Sequence, residues 1–211
     1  MKAVIVLDGI YYAIALAGAG ALLAWLLGPV YGSVLWVLAA FCLYFFRNPD
    51  REVPAGPVAV SPADGKVVTV KEDAPGVNRV SIFLNIFDVH VNRTPIAGVV
   101  RKAHYQKGCF KVASKEECST MNEQNVVTVE GDGTTVVFKQ IAGLIARRIV
   151  FWNKVGDRVE KGERIGLIKF GSRMDVLFGP EWEITVSPGQ RVSAGSSVIA
   201  RRVDRGALNG T

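Results

Sequence analysis

The stretch from Gly9 to Phe46 contains 38 residues and not one Asp, Glu, Lys or Arg. It is divided at Gly28-Pro29 into two apolar halves, and each half approaches the ~20 residues that a helix needs to cross a hydrocarbon core. Both halves are apolar on every helical face, which a helix on the surface of a soluble protein is not. The run therefore predicts an N-terminal, membrane-associating hydrophobic helical hairpin, assigned to residues 1–46.

Two other interpretations of this run stay open. A cleaved signal peptide would need a basic start and a small-residue cleavage site, but the run is too long and only Lys2 supplies a positive charge before it. The run could also form two buried core helices. If it enters a membrane, Arg47 and Arg51 beyond it favour a cytoplasmic location for the rest of the chain, at the membrane face.

The overall charge indicates which partners the chain could bind, and the cysteine count indicates its compartment and whether it binds metal. A net charge of +6 suits work beside anionic lipid. Basic residues are not clustered among aromatic ones, so nucleic acid is not expected as a partner. The three cysteines are odd in number and show no metal-ligand spacing, which favours a reducing compartment and no bound metal.

From residue 47 to residue 211 the sequence predicts a compact, mainly β (α+β) domain. Short β-branched runs alternate with Gly and Pro turns, among them KVVTV, RVSIFLNIF, VVTVE, TTVVFKQIAG, RIGLIKF, EITV and SVIARR. Outside the apolar run, helical periodicity is limited to one short helix near Ser114 to Met121.

Two segments of this domain echo each other. GDRVEKGERIG (156–166) and GQRVSAGSSVIA (189–200) share the frame G-x-x-V-x-x-G, in which Gly162 matches Gly195. Both glycines are expected to form a turn with positive φ, so Ser196 of the inviting Gly195-Ser196 pair needs no chemistry.

Such frames are similar to the lipoyl- and biotin-carrier fold, which implies a carrier-like, barrel-sandwich-type part in the domain. In that fold the carrier lysine lies at a hairpin tip, and Gly171 to Asp175 is the corresponding stretch here. Arg173 stands in place of the lysine, and a guanidinium cannot be acylated as a carrier amine is. A swinging-arm role is therefore disfavoured.

Four further stretches carry a family resemblance when taken together. They are FFRNPDREVP (45–54), SPADGKV (61–67), NIFDVHVNRTP (85–95) and IKFGSRMDVLF (168–178). In this order they resemble the phosphatidylserine decarboxylases of the short bacterial and archaeal type, including relatives that act on archaeal serine lipids. The resemblance extends from Phe45 to Ala200.

The resemblance implies that the chain cuts itself between Gly171 and Ser172. A β chain (1–171) and an α chain (172–211) would then form a heterodimer, and exposed sheet edges would allow a higher oligomer. Ser172 would become a covalent pyruvoyl group, the cofactor that forms a Schiff base with the substrate amine. The implied reaction is decarboxylation of phosphatidylserine to phosphatidylethanolamine in phospholipid biosynthesis.

The resemblance also implies roles for single residues. Asp64 would orient His90, His90 would accept a proton, and Ser172 would attack. Longer bacterial members carry a second histidine three residues after the first, where this chain has Arg93, so His90 would serve alone. Arg147 and Arg148 either end a solvated strand or bind the phosphate or carboxylate of the lipid.

A rival hypothesis is a non-enzymatic, membrane-anchored adaptor built on a carrier-like β domain. It explains the apolar run and the repeated frame, but it leaves the ADG, DVHVNR and FGS motifs without a purpose. On the enzyme hypothesis, the sequence does not separate phosphatidylserine from archaetidylserine as the lipid.

Overall fold

The computed structural model describes residues 5–111, 113, 116–143, 148–169 and 171–203. The chain divides into two compact units, Met1–Asp50 and Arg51–Thr211. The first unit is helical and the second is built mainly from strands, which confirms the mainly β fold class with an N-terminal apolar helical pair.

The first unit is a hairpin of two apolar helices, α1 (Leu7–Leu27) and α2 (Pro29–Phe45). Gly28 separates them with a φ of 106°, and Pro29 begins α2. The helices approach closely at Gly32, where a Cβ would lie 2.4 Å from the carbonyl oxygen of Gly20. Val6 N–H donates to Phe46 O at 3.0 Å, so the hairpin starts and finishes at one end. By length and composition, α1 is able to cross a membrane.

In its described residues the second unit is a set of antiparallel strands with one short helix. The strands are β1 (Val58–Val60), β2 (Gly65–Ala74), β3 (Val77–Leu84), β4 (Val91–Arg93), β5 (Gly98–Gln106), β6 (Gln124–Gly131), β7 (Thr134–Ala142), β8 (Arg148–Phe151), β9 (Arg158–Val159), β10 (Arg164–Lys169), β11 (Ser172–Phe178), β12 (Trp182–Ile184), β13 (Arg191–Val192) and β14 (Val198–Arg202). The helix α3 (Cys118–Met121) forms part of the helix expected near this position, although Ser114 lies outside the described residues.

Three sheets share these strands. The largest has the order β13-β2-β3-β11-β7-β6-β5-β9, and the smaller ones are β1-β14-β12 and β4-β10-β8. Strand β11 lies between β3 and β7, and Met174, Val176 and Phe178 on one of its faces are fully buried in the core. Since side chains alternate along a strand, Arg173 and Asp175 belong to the opposite face, and they are buried as well.

The two echoed segments form matching turns, as the sequence predicts. Gly162 has a φ of 75° and Gly195 a φ of 76°. The turns lie side by side, because a Cβ on Gly195 would be 3.6 Å from the carbonyl oxygen of Gly162. Ser196 N–H donates to Ser193 O at 3.2 Å within the second turn, so the Gly195-Ser196 pair is part of a repeated structural turn.

Candidate active site

The Gly171-Ser172 peptide lies where the chain passes from one sheet to another. Strand β10 ends at Lys169 in a small sheet, and β11 begins at Ser172 in the eight-stranded sheet. The expectation of a hairpin tip at Gly171 to Asp175 is wrong, because β11 is a central strand and Arg173 is completely buried. Gly171 makes the change of direction with a φ of 67°, a conformation that favours glycine.

Ser172 is completely buried, and its hydroxyl has no hydrogen-bond partner within the described parts of the chain. Its backbone lies between Leu84 of β3 and Ala142 of β7. Leaving a buried hydroxyl unpaired costs ~1–3 kcal/mol. Such a group in a folded protein calls for an explanation, and a role as nucleophile is one.

His90 lies next to this junction and is buried. Its Nδ1 is 2.9 Å from the carbonyl oxygen of Asp88, and its Nε2 is 3.3 Å from the backbone nitrogen of Gly171. A carbonyl can only accept and an amide N–H can only donate, so Nδ1 carries the proton and the lone pair of Nε2 accepts from Gly171 N–H. This is the tautomer that a general base requires, and its Nε2 contacts Gly171, the residue before Ser172.

Gly143 packs against the carbonyl group of Gly171, a contact that the sequence did not reveal. A Cβ on Gly143 would lie 2.4 Å from the Gly171 oxygen and 3.1 Å from its carbonyl carbon. Any side chain at position 143 would therefore displace the peptide that precedes Ser172. The only signal in the sequence was the glycine that follows the apolar end of β7 in QIAGLIA.

Asp64 lies at the same end of the sheet, but the described contacts bind its carboxylate to other groups. Oδ2 accepts a hydrogen bond from Arg51 and Oδ1 accepts one from Ala194 N–H, both at 2.7 Å. Lys66 pairs with Phe83 and Ser172 pairs with Leu84, so Asp64 lies about two strand spacings, roughly 10 Å, from Ser172. The predicted role of Asp64 in orienting His90 stays a prediction.

Arg93, which stands in place of a second histidine, joins the two echoed turns. It is buried, its Nη1 donates to Gly162 O at 2.9 Å, and a Cβ on Gly195 would meet its Cδ at 2.8 Å. Arg93 therefore has a structural role between the two turns, and position 93 supplies no second imidazole.

Arg147 and Arg148 were expected either to end a solvated strand or to bind the lipid. Arg148 is exposed at the start of β8 and lies opposite Lys169, two residues before Gly171. Its position is close to the junction in sequence and in register. Arg147 lies outside the described residues.

An ionic cluster with two buried arginines and a buried aspartate follows Ser172 directly and was also missed from the sequence. It consists of Arg173, Asp175, Arg79 and Glu116 and is called the Arg173 cluster below. Burial alone would raise the pKa of Glu116, but hydrogen bonds from Lys71, Arg79 and Arg173 lower it to about 2. Burial also acts to raise the pKa of Asp175, and the adjacent Arg173 lowers it below its usual range.

The fold and the site together define a mainly β protein in which a buried, unpaired serine and a buried histidine lie on either side of one glycine peptide at a strand junction. The family model for phosphatidylserine decarboxylase matches residues 38–200. The chain therefore belongs to the phosphatidylserine decarboxylase family, and the resemblance inferred from the motifs is confirmed.

Individual relatives agree with this assignment. The phosphatidylserine decarboxylase proenzyme of Solibacter usitatus is 74% identical over 95% of this chain and 98% of its own length. The proenzymes of Magnetococcus marinus and Rickettsia akari are 46% and 47% identical, each over 80% of this chain and over 81% and 78% of their own lengths. Such similarity to enzymes over most of the chain favours the enzyme over the adaptor.

Proposed function

We propose that this chain is the precursor of a pyruvoyl-dependent phosphatidylserine decarboxylase that cuts itself between Gly171 and Ser172. The observation that carries the proposal is the buried Ser172 hydroxyl, which has no partner in the described residues and directly follows Gly171, the residue whose N–H donates to His90 Nε2. The name proenzyme, borne by the relatives, implies processing of the same kind.

The proposed cut begins with Ser172. For this step His90 Nε2 gives up its bond with Gly171 N–H and accepts the proton of Ser172 Oγ, and Oγ attacks the carbonyl carbon of Gly171. The bond from that carbon to the Ser172 nitrogen breaks, the nitrogen takes up a proton, and an ester joins Gly171 to Oγ. Glycine at position 171 supports this step, because the backbone there already has a left-handed φ that other residues adopt at a cost.

The ester then resolves by elimination. Loss of the Ser172 Cα proton breaks the Cβ–Oγ bond, which leaves Gly171 with a free carboxylate and residue 172 as dehydroalanine. Addition of water and loss of ammonia convert that residue into a pyruvoyl group. The β chain 1–171 and the α chain 172–211 remain together in the proposed heterodimer.

The surroundings of Ser172 fit such a group. Position 172 is completely buried between Leu84 and Ala142, which would hold the group, and His90 contacts the preceding residue, Gly171. A pyruvoyl group supplies a ketone that reacts with an amine and accepts the electrons released when CO2 leaves. In the same site His90 would return a proton to the decarboxylated carbon, and burial would exclude bulk water.

The substrate implied by the relatives' names is phosphatidylserine, a lipid confined to a bilayer. We place the enzyme at the cytoplasmic face of the cell membrane, a proposal supported by the apolar α1, by the basic residues after α2 and by the net charge of +6. The exposed Arg148 has the charge needed to bind the lipid phosphate or carboxylate.

Denaturing mass spectrometry of the purified full-length protein tests the cut. Wild type is expected as two chains, the smaller comprising residues 172–211 with a pyruvoyl group in place of the first serine. Ser172→Ala is expected to stay whole, and His90→Gln is expected to cut at least ~100-fold more slowly because it lacks the base. Ser196→Ala and His104→Gln serve as matched controls and should cut normally.

Asp64→Asn belongs in the same series. If Asp64 assists His90, this variant will cut slowly although it keeps the shape of the side chain. Wild type that decarboxylates phosphatidylserine as one intact chain would refute the proposed function, and a small chain beginning at residue 196 would show that the wrong Gly-Ser pair had been chosen.

A further inference from the structure

We propose that Arg173 is a positioning residue that holds the new end of the α chain in place once the Gly171-Ser172 bond is broken. The inference rests on the proposed function, because it concerns the state after the cut. In the uncut chain the peptide bond to Gly171 also holds residue 172, so the Arg173 cluster is less important there.

The argument starts from the burial of Arg173. The residue directly after Ser172 is completely buried although it is charged. Its Nε donates to Asp175 Oδ1 at 2.7 Å, and its Nη2 donates to Ser81 Oγ at 2.7 Å and to Glu116 Oε2 at 3.1 Å. A planar guanidinium bound on two sides fixes its own position far better than a single contact does.

The partners of this side chain fall on both sides of the proposed cut. Ser81 and Glu116 belong to the segment that becomes the β chain, whereas Arg173 and Asp175 belong to the α chain. Arg79 of the β-chain segment donates through Nη1 to Asp175 Oδ2 at 3.0 Å, and it also binds Glu116. The cluster therefore joins the two chains through side chains, in addition to the backbone ladder of β11 with β3 and β7.

The cut makes the Arg173 cluster more important for the position of residue 172. Before it, residue 172 is held by its peptide bond to Gly171, whose N–H is bonded to His90 Nε2. Afterwards residue 172 is the first residue of a chain, and the first residues of a chain are poorly ordered unless they are tied down. A reacting group must be held to within about 0.5 Å of its productive position. Arg173 is the first side chain available to provide that restraint.

The test compares the same substitutions in cut and uncut protein. Arg173→Met and Glu116→Gln are each introduced into wild type and into Ser172→Ala, which stays uncut. Glu130→Gln is the matched control for Glu116→Gln, because the Glu130 side chain is 48% exposed and the Glu116 side chain 47%. Glu130 pairs with Arg101, so both members of its ion pair lie in the β-chain segment. Chain masses, Tm, kcat, KM and hydrogen exchange of the β11 amides are measured.

We expect both cluster variants to be cut and to lower Tm by more degrees in the cut protein than in the uncut protein. For Arg173→Met we expect kcat to fall about 10-fold or more, because the displaced ketone reacts more slowly with the bound substrate. We expect KM to stay nearly unchanged, because the substitution does not alter the residues that bind the lipid. Exchange at the start of β11 should rise in the cut form only. Glu130→Gln should leave all of these quantities as in wild type.

Three results would overturn the inference. One is an equal fall of Tm in cut and uncut protein with unchanged kcat, which would make the cluster a general stabiliser. Another is a Glu116→Gln protein that behaves like Glu130→Gln. The third is an Arg173→Met protein that folds but is not cut, since the side chain would then act before the bond breaks. Wild type that is never cut would instead refute the proposed function, so the two failures are distinguishable.

Discussion

Single atoms at the Gly171-Ser172 junction determine what the site can do. Ser172 Oγ has no partner in the described residues, His90 presents an unprotonated Nε2, and Gly143 leaves room for the Gly171 carbonyl. These three features place a base against the residue that precedes an unpaired hydroxyl, and they leave the carbonyl between them unobstructed. A version of the same junction with a fully hydrogen-bonded Ser172 would avoid the cost of the unpaired hydroxyl but would have no free nucleophile.

Gly143→Ala is the residue-scale prediction that depends most directly on this geometry. The new Cβ would lie 2.4 Å from the Gly171 oxygen, so the carbonyl must move away from its present position. We expect self-cleavage to slow by about 100-fold, since small displacements of reacting atoms have effects of this size. The rate is measured from the appearance of the small chain on denaturing gels.

Gly18→Ala is the control for this substitution, because a Cβ at Gly18 has nothing within 4 Å. It should cut at the wild-type rate. Normal cutting by Gly143→Ala would mean that the carbonyl position is not critical.

At this scale the sequence predicted part of the site. His90, Gly171 and Ser172 lie in recognisable motifs, and the structure brings them together. The contact of Gly143 and the partners of Asp64 depend on which strands become neighbours, which the motifs do not encode. The buried use of Arg93 depends on two turns that are 33 residues apart in the chain, at Gly162 and Gly195.

Among the elements, β11 is the one that sequence patterns described least well. An ordinary strand with one exposed face alternates apolar and polar residues, and SRMDVLF follows that pattern. The polar positions Arg173 and Asp175 are nevertheless buried, because Glu116 pairs with Arg173 and Arg79 pairs with Asp175. The longer apolar strands were predictable from their periodicity, whereas the two-residue strands β9 and β13 are too short to show any.

Asp175→Ala tests this strand. It would leave Arg79 and Arg173 buried without their shared carboxylate, and breaking a buried pair in this way typically costs about 3–5 kcal/mol. The free energy of unfolding is measured with urea in the Ser172→Ala background, so that only one chain unfolds. Glu130→Ala should lose no more than about 1 kcal/mol, because its pair with Arg101 is exposed. A loss for Asp175→Ala as small as that of the control would contradict the importance of the cluster.

For the molecule as a whole, the Arg173 cluster predicts a loss of stability in acid. The folded-state pKa of Glu116 is about 2, below its ordinary value of 4.5, so the folded protein favours the ionised form. Its contribution is complete above pH 4.5 and is lost as the pH falls towards 2. The pKa of Asp175 is also lowered and acts in the same direction.

The measurement is the Tm of uncut Ser172→Ala protein with and without Glu116→Gln, taken from pH 6 down to pH 2.5. The difference between the two proteins should be constant above about pH 4.5 and should shrink below it. A difference that does not change with pH would show that the charge of Glu116 contributes nothing to folding.

The central place of β11 has one more consequence for the proposed two-chain enzyme. The α chain would supply the middle strand of the eight-stranded sheet as well as β12, β13 and β14, which pair with each other or with strands of the β chain. It could not leave without opening both sheets. Once cut, the protein would therefore unfold by dissociation into two molecules, so its melting would depend on its own concentration, while the precursor would melt at the same temperature however dilute it was.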